Sequence, residues 1–142
     1  MVNREYIQEI NEVFLGKKEQ DSNLFYSDSH GYIIKTSQQE IKILISAEQQ
    51  CCENSGYFCA NDSMCDFIGA ELLKVKLTNT CLNTKVFETK DELRWISEDC
   101  IQFVDLITDK GTLQFAVYNN HNGYYGHQIF IGTNKFSHKE YL

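Results

Sequence analysis

A chain of 142 residues suffices for one ordinary domain, and its 42% apolar and 13% aromatic content argues for a real core and against disorder. With 20 Asp and Glu against 13 Lys and Arg, the formal charge of −7 opposes direct nucleic-acid binding and suits solubility or docking on a basic protein surface. No apolar run approaches the roughly 18 residues of a membrane span, and MVNREYIQEI, amphipathic and acid-containing, reads as neither secretory nor transit peptide, so a cytoplasmic location away from membranes is expected.

In chain order, Asn3 is placed to cap a helix over residues 1–16, with Tyr6, Ile10, Val13 and Phe14 at helical spacing and Gly16 as its stop. Residues 17–30 are polar and predict a loop. HGYIIKTSQQEIKILISA predicts a hairpin turning at Ser37-Gln38-Gln39. Residues 49–66 lack any period and predict an irregular Cys-rich loop. ELLKVKLT predicts a strand in which Leu73, Val75 and Leu77 alternate with Lys74 and Lys76. Thr89 with Glu92 forms a capping-box signature, so KDELRWISED predicts a short helix packing Leu93 and Ile96. CIQFVDLIT, TLQFAVYN and HQIFIGT predict three strands joined at Asp109-Lys110-Gly111 and Asn122-Gly123, short connections that favour antiparallel neighbours. The expectation is one α+β domain over 1–142, an antiparallel sheet of about five strands with the N-terminal helix and a second short helix against it.

The segments DFIGAELLKVKLTNTCLNTK and KGTLQFAVYNNHNGYYGH, with Cys51-Cys52-Glu53, resemble a family of small uncharacterised domains from phages and Gram-positive bacteria. The resemblance covers about residues 40–131 and implies a shared sheet core but no chemistry; the N-terminal helix, Cys59 and Cys65 stand out as additions. In size, acidity and general pattern the whole chain is similar to the short type II-A anti-CRISPR proteins of streptococcal phages and mobile elements. That similarity implies a non-enzymatic protein whose partner is a type II CRISPR effector nuclease and which keeps target DNA from loading.

Four of the six cysteines, Cys51, Cys52, Cys59 and Cys65, fall within fifteen residues. A reducing compartment keeps thiols free or metal-bound, and zinc takes four such ligands in a tetrahedron. A structural zinc is therefore expected, completed by His127 or alternatively His121. Cys81 and Cys100 read as small core hydrophobes. Two other chemistries compete with a binding protein. One is a small cysteine- or metal-dependent hydrolase, with Cys51 or Cys52 as nucleophile and His127 as base, although no nucleophile elbow, zinc-protease or P-loop pattern is present. The other is a binder of some different host factor.

Between Glu88 and Asp109 stand seven acids and two bases, a local charge of −5 out of −7. Such a run is ordinarily a solvated face. It also suits a positively charged nucleic-acid channel of the kind RNA-guided nucleases possess. Glu88, Asp91, Glu92, Glu98 and Asp99 are the candidate partner-binding acids, with Arg94 and Trp95 as an anchor if exposed.

Overall fold

The computed structural model describes residues 3–17, 25, 27–48, 53–121 and 126–142, with Glu53 and His121 described by backbone alone. The strands among them are β1 (Ile7–Leu15), β2 (Ser29–Thr36), β3 (Glu40–Ser46), β4 (Glu53–Cys59), β5 (Leu72–Thr78), β6 (Ile101–Thr108), β7 (Gly111–His121), β8 (Gln128–Gly132) and β9 (Ser137–Tyr141). They build two antiparallel sheets, one of five strands in the order β1-β2-β3-β8-β9 and one of four in the order β4-β7-β6-β5. Ile34, Ile43 and Ile131 of the first sheet meet Val104, Leu106 and Phe115 of the second in one shared core. Tyr32 and Phe115 cross it with ring centroids 4.6 Å apart. Each such side chain contributes about 1.5–3 kcal/mol by leaving water.

The expected α+β class is thus corrected to mostly β. The one α-helix among the described residues is a single turn, α1 (Val86–Thr89), and the rest of the helical character is in 3-10 turns. Residues 7–15 of the expected N-terminal helix form an edge strand. The reason is a bulge: the β1–β2 register shifts between Ile7, opposite Thr36, and Glu9, opposite Lys35. An extra residue reverses the parity of everything after it, so Ile7 and Ile10 both face the core at a three-residue spacing that imitates a helix. The same device corrects β5. Its register shifts between Leu72 and Lys74, so Leu72, Val75 and Leu77 turn inward while Leu73 is left exposed.

The β2–β3 hairpin turns at 37–39 and the β6–β7 hairpin at 109–111, as expected, the latter through Gly111 at φ +121°. Gly31 in β2 is obligatory for a different reason. At φ +147° a Cβ there would fall 2.0 Å from the Ile43 carbonyl oxygen. The connection through Asn122-Gly123, residues outside the described set, is not a hairpin: β7 pairs with β4 and β6, whereas β8 pairs with β3 and β9 in the other sheet. The supposed Cys-rich loop over 49–66 contains β4, a seven-residue strand paired with β7. It reads as irregular because Asn54, Ser55 and Gly56 interrupt its apolar alternation.

Candidate functional site

The inner face of the four-stranded sheet packs on the shared core; its outer face carries a second apolar cluster of Phe58, Phe103, Ala116 and Tyr118. The segment 79–100 lies over that face as a cap, with Leu93 buried and Val86, Phe87 and Ile96 packed beside it. Polar bonds lock it down. The Gln114 side chain, fully buried on β7, donates to Asp105 Oδ1 at 2.8 Å and to the Thr80 carbonyl at 2.9 Å, while its oxygen accepts from the Leu82 amide at 2.9 Å. Asn83 Nδ2 donates to the Ala60 carbonyl at 2.9 Å. A buried amide with every valence used holds one arrangement, because each broken bond would leave a desolvated polar atom.

The expected helix over KDELRWISED is replaced by 3-10 turns at Asp91–Leu93 and Glu98–Cys100. Thr89 bonds backward to the Val86 carbonyl and caps nothing. Between the turns, Asn120 Nδ2 on β7 donates to the carbonyls of Glu92 at 3.0 Å and Arg94 at 3.1 Å. The next residue, Trp95, takes φ +61°, the one positive value among the described non-glycine residues. A left-handed backbone is rare for a bulky side chain and costs about 1–2 kcal/mol. Trp95 is nevertheless 92% exposed, so its indole gives little back to the fold. It forms one wall of an open crevice of about 500 Å³ completed by Phe87, Leu93, Arg94 and Ile96.

Five of the seven acids counted in the sequence are on this cap. Glu88, Asp91, Glu98 and Asp99 are exposed and Glu92 is half-buried. None of the five forms an ion pair among the described residues. Glu92 lies close enough to Tyr118 that its charge adds to burial, the larger cause, in pushing that phenol up to about 12. The other two acids are elsewhere: Asp105 is buried against Gln114, and Asp109 Oδ1 accepts the Glu71 amide in a turn. The local −5 is therefore not one surface.

Of the expected metal ligands, Cys59, Cys65 and His127 have described side chains. Cys51 and Cys52 lie outside the described residues, and nothing is described of the His121 side chain. The chain re-enters at Glu53 and β4 carries it roughly 20 Å, at about 3.3 Å per residue, before Cys59. Cys59 packs against the shared core, its thiol pushed up to about 11 by burial, and Cys65 is exposed on a 3-10 turn. His127 is 3% exposed with Nδ1 against the Ser46 carbonyl at 3.2 Å. Among the described residues no three His, Cys, Asp or Glu gather around one point. Cys59→Ser is expected to cost about 1–2 kcal/mol in urea unfolding, the cost of a hydroxyl in an apolar site, and the same with or without a chelator. Cys65→Ser should cost nothing measurable. A chelator-dependent difference would return Cys59 to the coordination sphere.

Residues 4–131 match a family described as a domain of unknown function (DUF7448). The chain belongs to that family. No curated protein and no solved structure matches it. The DUF7448 match takes in β1, which is therefore part of the family domain and not an addition to it, and it ends inside β8, leaving β9 beyond. The whole cap and Asn120 lie within it.

The DUF7448 domain also gathers polar groups at one end of its interior. Asn119 Nδ2 donates to the Leu142 carbonyl at 3.0 Å, and His127 and Leu142 exchange backbone bonds at 2.9 Å. Ser27 and Ser46 hydroxyls meet at 2.9 Å. His30 stacks edge-on against Tyr57 at 4.8 Å, and Tyr57 in turn donates to the Glu12 carboxylate. Burial first, and His127 second, hold the His30 pKa below its ordinary 6.5, with Glu12 opposing. The folded chain then binds fewer protons than the unfolded one just below 6.5, so stability falls as pH drops from 7 toward the folded pKa. His30→Gln is expected to flatten that part of the stability–pH curve, measured by urea unfolding between pH 7 and 5. An unchanged slope would assign it to other groups.

Proposed function

We propose that this DUF7448 protein is a non-enzymatic inhibitor that docks its acidic cap in the basic DNA channel of a type II CRISPR effector nuclease and keeps target DNA from loading. The observation that carries the reading is the cap itself: five acids without ion pairs among the described residues share a segment with an exposed indole, and the segment is hydrogen-bonded to the sheet beneath. Channels that hold a guide–target heteroduplex are positively charged and contact backbone in place of sequence. A rigid acidic surface associates with such a channel quickly and in a defined orientation. The indole supplies what screened charges lack, an anchor that leaves water on binding.

The test is a gel shift of guide-loaded nuclease on target DNA. Added first, the protein is expected to abolish the DNA-bound band at about one equivalent, with inhibition weakening as salt rises, because exposed charges are screened beyond about 8–10 Å at physiological ionic strength. DNA that binds normally while cleavage alone stops would overturn channel blocking. Binding and cleavage both unaffected would remove the anti-CRISPR reading.

A further inference from the structure

We infer that the Trp95 crevice is a receptor for an arginine side chain of the partner, the guanidinium stacking on the indole of the acid-rich cap. The inference rests on the reading of the cap as a docking face for a basic protein. Trp95 combines three features. Its indole is 92% exposed, its backbone is held left-handed, and the turn before it is clamped by Asn120 from the sheet beneath. A structure that holds a large apolar ring in water through an unfavourable backbone conformation presents it for contact. The crevice beside the ring is walled by Phe87, Leu93, Ile96 and Arg94, and its three apolar walls suit an aliphatic stem. On the same cap segment Glu88, Asp91, Glu98 and Asp99 are exposed and without ion pairs among the described residues, which suits a cationic head.

Arginine satisfies all three demands at once. Its guanidinium is planar, stacks on an aromatic face and still offers edge N–H groups to carboxylates, whereas the ammonium of lysine is a compact, strongly hydrated point charge. Asn120 is then a positioning residue: it touches no partner and sets the angle at which the ring is offered.

Trp95 is the single tryptophan of the chain, so fluorescence excited at the red edge of the indole band, where the eight tyrosines scarcely absorb, reads this position. The experiment titrates the full-length protein with a nonapeptide of alternating Arg and Gly, and in parallel with its Lys counterpart. The arginine peptide is expected to change the emission saturably and to bind roughly two- to five-fold more tightly than the lysine peptide, the range of a cation–π contact at an exposed site. Asn120→Ala is expected to weaken the arginine peptide and narrow its advantage over lysine while the urea midpoint stays within reach of wild type. Trp95→Asn, which tolerates the left-handed backbone, is expected to remain folded and to lose the arginine preference by calorimetry. Equal affinity for the two peptides, or an emission that neither moves, overturns the arginine receptor and leaves the docking face standing. Charge reversal of the cap acids without effect on either peptide removes the docking reading and the receptor together.

Discussion

Reversing Asp91, Glu92, Glu98 and Asp99 together to lysine is expected to weaken binding to the guide-loaded nuclease by roughly 10- to 100-fold, chiefly through slower association. The comparison that gives this result meaning is a second set of four reversals placed away from the cap. Glu9, Glu40, Asp62 and Asp66 serve, since all four are exposed. Glu9 meets Lys35 in a surface pair at 3.8 Å and accepts from Asn11 Nδ2 at 3.4 Å, both exposed, and such surface contacts are worth little. Glu5 and Glu12 do not serve, because their carboxylates accept from Thr36 and Gln39 and from Tyr57. Both sets shift the net charge equally, so a non-specific attraction to a basic partner would suffer alike. A cap-specific docking face predicts that the control set keeps most of its affinity. Equal losses for the two sets, read as association and dissociation rates by surface plasmon resonance, would reduce the cap to a solvated surface.

Gln114→Ala is expected to cost about 3 kcal/mol in urea unfolding. The side chain is fully buried and makes three bonds, and its loss strands the Asp105 carboxylate, itself only 6% exposed, together with the Thr80 carbonyl and the Leu82 amide. Breaking a buried pair by removing one partner is more damaging than replacing both. Combining Gln114→Met with Asp105→Leu should therefore recover part of the loss. The substitution also acts on the docking face at a distance. With the cap loosened over Phe103 and Tyr118, the Trp95 turn loses its fixed presentation, so nuclease affinity should fall along with stability. A stability loss below 1 kcal/mol would show that apolar packing of Leu93 and Ile96 holds the cap without Gln114.

Much of the strand content was legible. The hairpins at 37–39 and 109–111 announced themselves through β-branched runs and short polar turns, and both pair antiparallel. The N-terminal strand was not legible, because a single bulge after Ile7 converts a two-residue alternation into spacings of three and four. The short helix was not legible either. A capping box is a local preference of about 0.5–2 kcal/mol, and here Asn120, distant in sequence, takes the carbonyls of the Glu92–Arg94 turn for itself. The irregular loop over 49–66 was read too broadly for a related reason: polar residues and a glycine hide the alternation of β4, which is a strand.

By itself the sequence determined the chemistry on offer: a −7 charge of which −5 falls within residues 88–109, a single tryptophan among acids, six thiols, and enough β-branched and aromatic residues to fill a core. These are properties of residue types and near neighbours, which need no fold to be read. Only the tertiary structure decided how they are distributed. It sent β8 across to the five-stranded sheet, buried Asp105, and left Glu88, Asp91, Glu98 and Asp99 exposed on the cap that carries Trp95. The physical reason is that strand partnering, bulge parity and side-chain clamps such as Asn120 and Gln114 are long-range choices, made by which whole arrangement leaves the fewest buried polar groups unpaired and the most apolar surface covered.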